Sequence, residues 1–228
     1  MTPMETYYER TAETVIKGLA KRRMTGYYCP TGAEACELAL KLIDGARDKG
    51  IRLDGGASGA GVTTVGYGGS MTLGEIGLKD RLRQDPSVVL YDRDLAETQE
   101  ERDRIFRYNY GADTFLMSTN AITLDGILVN TDGTGNRVAP MIYGPAQVII
   151  IAGMNKVTAD LDSALSRTNH IATPPNCIRL DRKTPCSQTG KCGLCLGDDC
   201  ICSDIVVTRR QQFPDRVKVI LVGESLGY

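Results

Sequence analysis

Ala12, Val15, Ile16 and Leu19 recur at i, i+3, i+4 and i+7, which lays one apolar stripe along a helix of roughly five turns. Thr31 and Glu34 then stand three apart, the spacing at which a hydroxyl and a carboxylate each take a free backbone N–H at a helix start, and Ala35, Leu38, Ala39 and Leu42 give this second helix its buried face. The two are expected to form a helical hairpin over residues 1–50 that leads into a sheet. From residue 62 the pattern changes to short apolar runs: VTTVG, VVLY at 88–91, TFLMS at 114–118, GILVNT at 126–131 and VIIIAG at 148–153. Continuous β-branched runs suit strands covered on both faces. Between them, residues 72–83, 95–110 and 156–168 read as helices, the second with Asp94 as N-cap and Gly111 just past its end. DIVVT at 204–208 and VKVILVG at 217–223 add late strands. Alternation of strand and helix predicts a single α/β domain over residues 1–228, an open, mostly parallel sheet flanked by helices. The segment 173–203, with Pro174, Pro175 and Pro185, reads as an irregular, Cys-rich excursion from the last crossover, ordered by whatever its cysteines bind.

Composition narrows the partners. A formal charge of −1 on 228 residues supplies no broad basic field, which argues against nucleic acid and membrane surfaces and leaves a small molecule or a protein. The N-terminus mixes acids with bases, and the longest apolar run, at 148–153, is too short to span a bilayer, so a cytoplasmic protein is expected. Thiols stay reduced in that compartment, and clustered cysteines there read first as metal ligands or redox groups.

Two segments carry candidate chemistry. Residues 62–78 run from a strand through Gly66, Gly68 and Gly69 into a helix expected to begin at Ser70 or Thr72, with Thr72 and Glu75 at capping-box spacing. Such a turn at a strand end can hold an anion, with Ser70 donating and Glu75 available as acid, base or nucleophile; a tight turn with a structural cap explains the same residues without function. No Gly-Lys-Ser/Thr follows, so it is not a nucleotide P-loop. Residues 120–140 gather Asn120, Asp125, Asn130, Asp132, Asn136 and Arg137. Asp-Gly pairs form turns, and a hairpin accounts for Asp125 and Asp132; Arg137 is left as a two-pronged donor for a carboxylate or phosphate.

GGSMTLGEIGL, NAITLDGILVNTDGTGNRVAPMIYGP, VIIIAGMNKV and PCSQTGKCGLC together resemble the LUD domain, the lactate-utilization family, from about residue 4 to 224. The resemblance implies a sugar-isomerase and CoA-transferase-like α/β fold. Some relatives serve in an iron-sulfur complex that oxidises L-lactate to pyruvate, and others stand alone. It places the family's polar pattern on Gly68, Gly69, Ser70, Thr72, Glu75, Asp125, Asn130, Asp132, Asn136 and Arg137. The Cys-rich pattern of one subgroup falls on Cys186, Cys192, Cys195 and Cys202, from which Cys177 and Cys200 depart.

Residues 185–202 hold five of the eight cysteines. Crowded thiolates repel one another and call for a positive centre. One Cys-x-x-Cys flanked by single cysteines fits an iron-sulfur cluster, of the 4Fe-4S kind, better than the paired knuckles of zinc; zinc, disulfides and free thiols stay open as alternatives. Cys29 and Cys36 read as plain buried thiols, and His170, the one histidine, leaves no base for a Ser-His-Asp triad. Two functions compete. One is an enzyme on a small anionic substrate, with Glu75 and then Asp132 as acid-base residues; the other is an accessory or redox-sensing subunit. An iron-sulfur or flavoprotein redox partner and a homo-oligomer are expected with either.

Overall fold

The computed structural model describes residues 1–47, 49–50 and 61–228. α1 (Pro3–Lys21) opens on a capping box in which Thr2 Oγ1 accepts from Glu5 N and Glu5 accepts from Thr2 N at 2.7 Å, and it buries Ala12, Val15 and Leu19. The expected helical hairpin is not formed. β1 (Thr25–Cys29) stands between α1 and α2 (Gly32–Asp44) and pairs in parallel with a strand near the C-terminus. TGYYC lacks a β-branched run because β1 is a half-buried edge strand, packed hard on one side only. α2 starts at Thr31 as expected, Thr31 Oγ1 accepting from Glu34 N at 3.2 Å, but the reciprocal half of the box is not formed: the Glu34 carboxylate accepts from the Thr31 hydroxyl at 3.2 Å instead of from a backbone N–H.

Beyond residue 61 the chain runs β2 (Thr63–Tyr67), α3 (Met71–Glu75), α4 (Leu78–Gln84), β3 (Val88–Tyr91), α5 (Gln99–Tyr108), β4 (Thr114–Met117), β5 (Ala121–Thr123), β6 (Leu128–Asp132), α6 (Val138–Ile142), β7 (Gln147–Gly153), β8 (Val157–Thr158), α7 (Leu161–Arg167), α8 (Thr173–Arg179), α9 (Pro185–Thr189), β9 (Asp204–Thr208) and β10 (Val217–Val222). Six strands make an open sheet in the order β1-β10-β7-β4-β2-β3, every neighbouring pair parallel. Alternate side chains of its central strands feed two cores. Ile149, Ile151, Ile220 and Val222 pack with α2, α3 and α4, while Val148, Ile150, Val219 and Leu221 pack with α1, Ile122 and Leu128. Burial on both faces is why these stretches read as unbroken apolar runs, each Ile or Leu contributing about 1.5–3 kcal/mol.

GILVNT and DIVVT do not join this sheet. They form β6 and β9 of a second one, ordered β8-β5-β6-β9, whose β5–β6 and β6–β9 pairs are antiparallel. Asp125-Gly126 makes the β5–β6 turn as its composition predicts, with Gly126 at φ +85°; a Cβ there would meet Leu19 N at 2.6 Å. α1 lies that close because Gly18 faces the same turn.

Several helices are shorter than their periodicity suggests. Residues 72–83 break at Gly77, φ +71°, into α3 and α4. The N-cap of α5 is Thr98, boxed with Glu101; Asp94 instead pairs with Lys79 at 2.7 Å, and Gly111 lies in a 3-10 turn. Lys156 ends a 3-10 turn ahead of β8, α7 is capped by Asp160, and a π turn over 168–172 carries the chain into α8. The Cys-rich segment thus begins with two regular helical stretches, α8 and a Thr184-capped α9. No helix among the described residues is long and apolar enough to cross a membrane.

Candidate functional site

After β2 the chain turns to β3 at one edge, and after β4 it works toward β7 on the other side, so the strand order reverses between β2 and β4. In open parallel sheets the connections part at that point and leave a crevice beyond the carboxyl ends of the strands. Here it has a volume of about 370 Å³, within the usual range for small-molecule sites. Gly69 and Ser70, following β2, line it with Ser118 and Thr119, following β4, and Lys156, following β7. The second sheet supplies Thr131 and Asp132, and α8 with the Cys-rich loop closes a wall through Asn176, Arg179, Arg182 and Ile201.

The crevice is strongly cationic. Arg93, Arg102, Arg137, Lys156, Arg179 and Arg182 line it, against one lining aspartate, Asp132. Arg93 lies over the Phe106 ring, Arg179 donates to Asn176 Oδ1 at 2.7 Å, and Arg182 stands 3.5 Å from Asp199. Arg102 Nε and Thr131 Oγ1 are buried without a hydrogen-bond partner among the described residues. Such groups cost free energy unless something polar meets them, so their convergence on one cavity points to a polar ligand. A larger groove, about 770 Å³, runs between α2 and α4, but it is open, holds no such orphaned atom, and its Arg81 is already paired with Glu37.

Arg137 is 9% exposed and its donors are committed. Nη1 donates to Ser118 O at 3.0 Å and Asn130 Oδ1 at 2.6 Å, Nη2 to Asn120 Oδ1 at 2.9 Å and Thr131 O at 2.8 Å, and Nε lies 3.5 Å from Asp132 Oδ2. The guanidinium therefore braces the crevice floor, and the two-pronged grip on a ligand expected from sequence has no free prongs. Gly68 is explained by the same side chain, since a Cβ there would meet Arg137 Cγ at 2.6 Å. Asp132 is equally occupied: Oδ1 accepts from Thr134 N at 3.2 Å and Gly135 N at 3.1 Å. Asn130 is fully buried beneath Arg137, and Asn136 reaches the crevice wall. Asp125 lies elsewhere, bonded to Thr123 and paired with Arg22 just past α1, which hold its carboxyl below the ordinary range.

The expected Thr72–Glu75 capping box is replaced by Ser70, whose Oγ accepts from Leu73 N at 3.4 Å. α3 has only five residues, too few for its dipole to matter, so side-chain cations and not a helix end supply the positive field. Glu75 is exposed, does not line the crevice, and accepts from Gly227 N at 2.7 Å. It anchors the stretch that forms one crevice wall. Thr72 is buried and takes a hydrogen bond from Lys156 Nζ at 3.2 Å.

Lys156 is the residue that sequence reasoning passed over. Burial first, then the neighbouring Arg167 and Arg137 charges, bring its pKa down to about 7 from 10.5. Between those values the unfolded chain binds a proton that the fold does not, so this lysine makes stability rise with pH, by at most about 1.4 kcal/mol per unit. The rise begins near pH 7, and above pH 9 it is opposed by Cys177 and Cys202, whose pKa values burial lifts from 9.0 to about 11. Urea unfolding is therefore expected to show a higher stability at pH 9 than at pH 7, and Lys156→Met to flatten that slope. Equal slopes in the two proteins would contradict the assignment.

The cysteines of the tail are all unpaired thiols. Cys177 and Cys186 bring their sulfurs to 3.6 Å, close to the roughly 3.8 Å separating two sulfurs on one tetrahedral centre with 2.3 Å bonds. The field of Cys186 reaches Cys195, and those of Cys192 and Cys200 reach Cys202. Even so, no three Cys, His, Asp or Glu among the described residues come together in a way that could hold a metal ion. The expected set Cys186, Cys192, Cys195 and Cys202 is thus gathered in one region but not assembled around a point, and the sulfur that stands 3.6 Å from Cys186 belongs to Cys177, outside the subgroup pattern. Cys29 and Cys36 are buried in the core as expected, and His170 is exposed in the π turn.

Three comparisons complete the picture. The sequence matches the family model described as the LUD domain over residues 12–222. The fold is similar to the crystal structure of a DUF162 family protein from Deinococcus radiodurans, at 10% identity and a TM-score of 0.45, over 94% of this chain and 98% of that one. No curated protein matches.

Proposed function

The chain belongs to the LUD domain family, and from that premise we propose that it is a cytoplasmic protein of lactate-utilization type that takes a small carboxylate or phosphorylated metabolite into the crevice between the ends of β2 and β4. One observation carries this reading: five arginines, with Lys156 at the floor, surround a cavity of about 370 Å³ in a chain whose net charge is −1. Focused charge of that kind concentrates anions and orients them. Ser70, Ser118 and Asn136 supply hydroxyl and amide donors at its edge, Arg102 offers an unpaired Nε, and Arg137 with Asp132 keeps the floor rigid. Glu75 serves the site by holding Gly227.

Inorganic phosphate and small mono- and dicarboxylates are expected to raise the melting temperature saturably at low ionic strength, with the effect falling as salt is added. A melting temperature that none of these anions shifts would remove the reading.

For the tail we propose an iron-sulfur cluster held by Cys186, Cys192, Cys195 and Cys202, with zinc as the alternative. The donor chemistry fits, with thiols gathered in one region, although the pair at ligand spacing, Cys177 and Cys186, includes only one of the four, and no three such donors among the described residues come together around a point. A bound cluster would supply one-electron transfer toward an iron-sulfur or flavoprotein partner. This tail forms a crevice wall, which favours as a second reading a redox-sensing subunit whose anion site reports on the thiols. Anaerobic purification followed by iron, sulfide and zinc analysis is expected to find metal, lost on Cys186→Ser. Metal-free protein with all eight thiols open to a thiol reagent after unfolding would refute the cofactor.

A further inference from the structure

Lys156 is placed by the 3-10 turn that follows β7, at the floor of the crevice, and is 4% exposed. Its Nζ donates to Ser118 Oγ at 2.9 Å and Thr72 Oγ1 at 3.2 Å. Both partners are neutral hydroxyls. Among the described residues no carboxylate forms an ion pair with it, and the charges that face it most strongly, Arg167 and Arg137, are of the same sign; Glu75 opposes them more weakly. A buried ammonium without a counter-ion is disfavoured, so near pH 7 about half of the molecules hold this amine neutral, with its lone pair free. Anion binding alone would be served better by a charged lysine or by another arginine. A neutral buried amine, two hydroxyls within hydrogen-bond reach and a surrounding ring of arginines describe a nucleophile in an anion-binding pocket.

We propose that Lys156 forms an imine with the carbonyl carbon of a small anionic aldehyde or ketone, the 2-oxo acids being the simplest class that sets a carboxylate beside a carbonyl. The inference rests on the crevice being the ligand site. In the first step the Nζ lone pair bonds to the carbonyl carbon while the C=O π pair moves to oxygen, which takes up a proton. In the second, nitrogen gives up its remaining protons and forms C=N as the carbinolamine oxygen departs as water. Amine and carbonyl thus become imine and water, with no oxidant or reductant. Ser118 and Thr72 hand the protons across, each able to donate and accept, and the substrate carboxylate is left to the arginines.

The test uses glyoxylate with sodium cyanoborohydride, which reduces imines, followed by intact mass measurement and peptide mapping. One adduct per chain is expected at Lys156, with the mass of the oxo acid less one oxygen atom. At pH 7 the neutral fraction of an amine with pKa about 7 exceeds that of an ordinary lysine about a thousandfold; allowing for its lower intrinsic nucleophilicity, labelling is expected about a hundredfold faster than at surface lysines. Lys156→Arg should abolish that adduct, and the map of the unaltered protein decides the point if the variant does not fold. Adducts spread over surface lysines with Lys156 unmodified would overturn the imine. A melting shift with glyoxylate but no trapped adduct would leave the anion site standing while overturning the imine, and the absence of both would overturn the two together.

Discussion

Arg137→Met is expected to cost about 3–5 kcal/mol of folding stability, the range found when one partner of a buried charged network is removed. The substitution keeps much of the side-chain volume, so the loss measures polar partners and not a cavity. Ser118 O, Thr131 O, Asn120 Oδ1 and Asn130 Oδ1 would lose their hydrogen bonds and the Asp132 carboxylate its ion pair, in surroundings where water cannot easily replace them. Those groups sit on the loop after β4 and on β6, so the guanidinium ties the parallel sheet to the second sheet. Lysine should rescue little, because a single ammonium cannot reach acceptors spread over both arms of a planar fork. Urea unfolding followed by circular dichroism checks the effect; a loss under 1 kcal/mol would mean that the network is a surface ornament.

How much of this could be read from the sequence depended on whether a residue's role was local. VIIIAG and VKVILVG announced β7 and β10 because strands buried on both faces carry no polar alternation, and Asp125-Gly126 announced its turn because few other pairs adopt that backbone. β1 escaped, since an edge strand reading TGYYC has no such signature. The Thr98–Glu101 box was present in the sequence, three residues apart, but Asp94 competed for the same role until Lys79, distant in sequence, claimed its carboxylate. Gly69, Ser70, Asp132, Asn136 and Arg137 do meet at one crevice, although Arg137 and Asp132 spend their polar groups on each other and on the backbone. Arg93, Arg102, Arg179 and Arg182 could not have been selected, because a charged residue on a short helix or loop looks the same whether it faces solvent or a cavity. Lys156 was hidden for a related reason: nothing in GMNKV says that no carboxylate will pair with it. Its position just beyond the carboxyl end of a central strand was the available signal.

Arg102→Glu is expected to weaken binding of inorganic phosphate by about a hundredfold or more. Losing one charge-assisted hydrogen bond accounts for about 1.5–3 kcal/mol, and placing a carboxylate against the anion adds repulsion. Arg102 suits the experiment because its Nε supports no hydrogen bond among the described residues, so its removal should leave the unfolding midpoint close to that of the original protein. Arg81→Glu, in the groove between α2 and α4, makes the same charge change away from the crevice. Calorimetric titration of the three proteins with phosphate at low salt is the most direct measurement of whether the cationic crevice is the functional site. One saturable site that disappears in Arg102→Glu and persists in Arg81→Glu is the expected result; phosphate binding untouched by Arg102→Glu would contradict it.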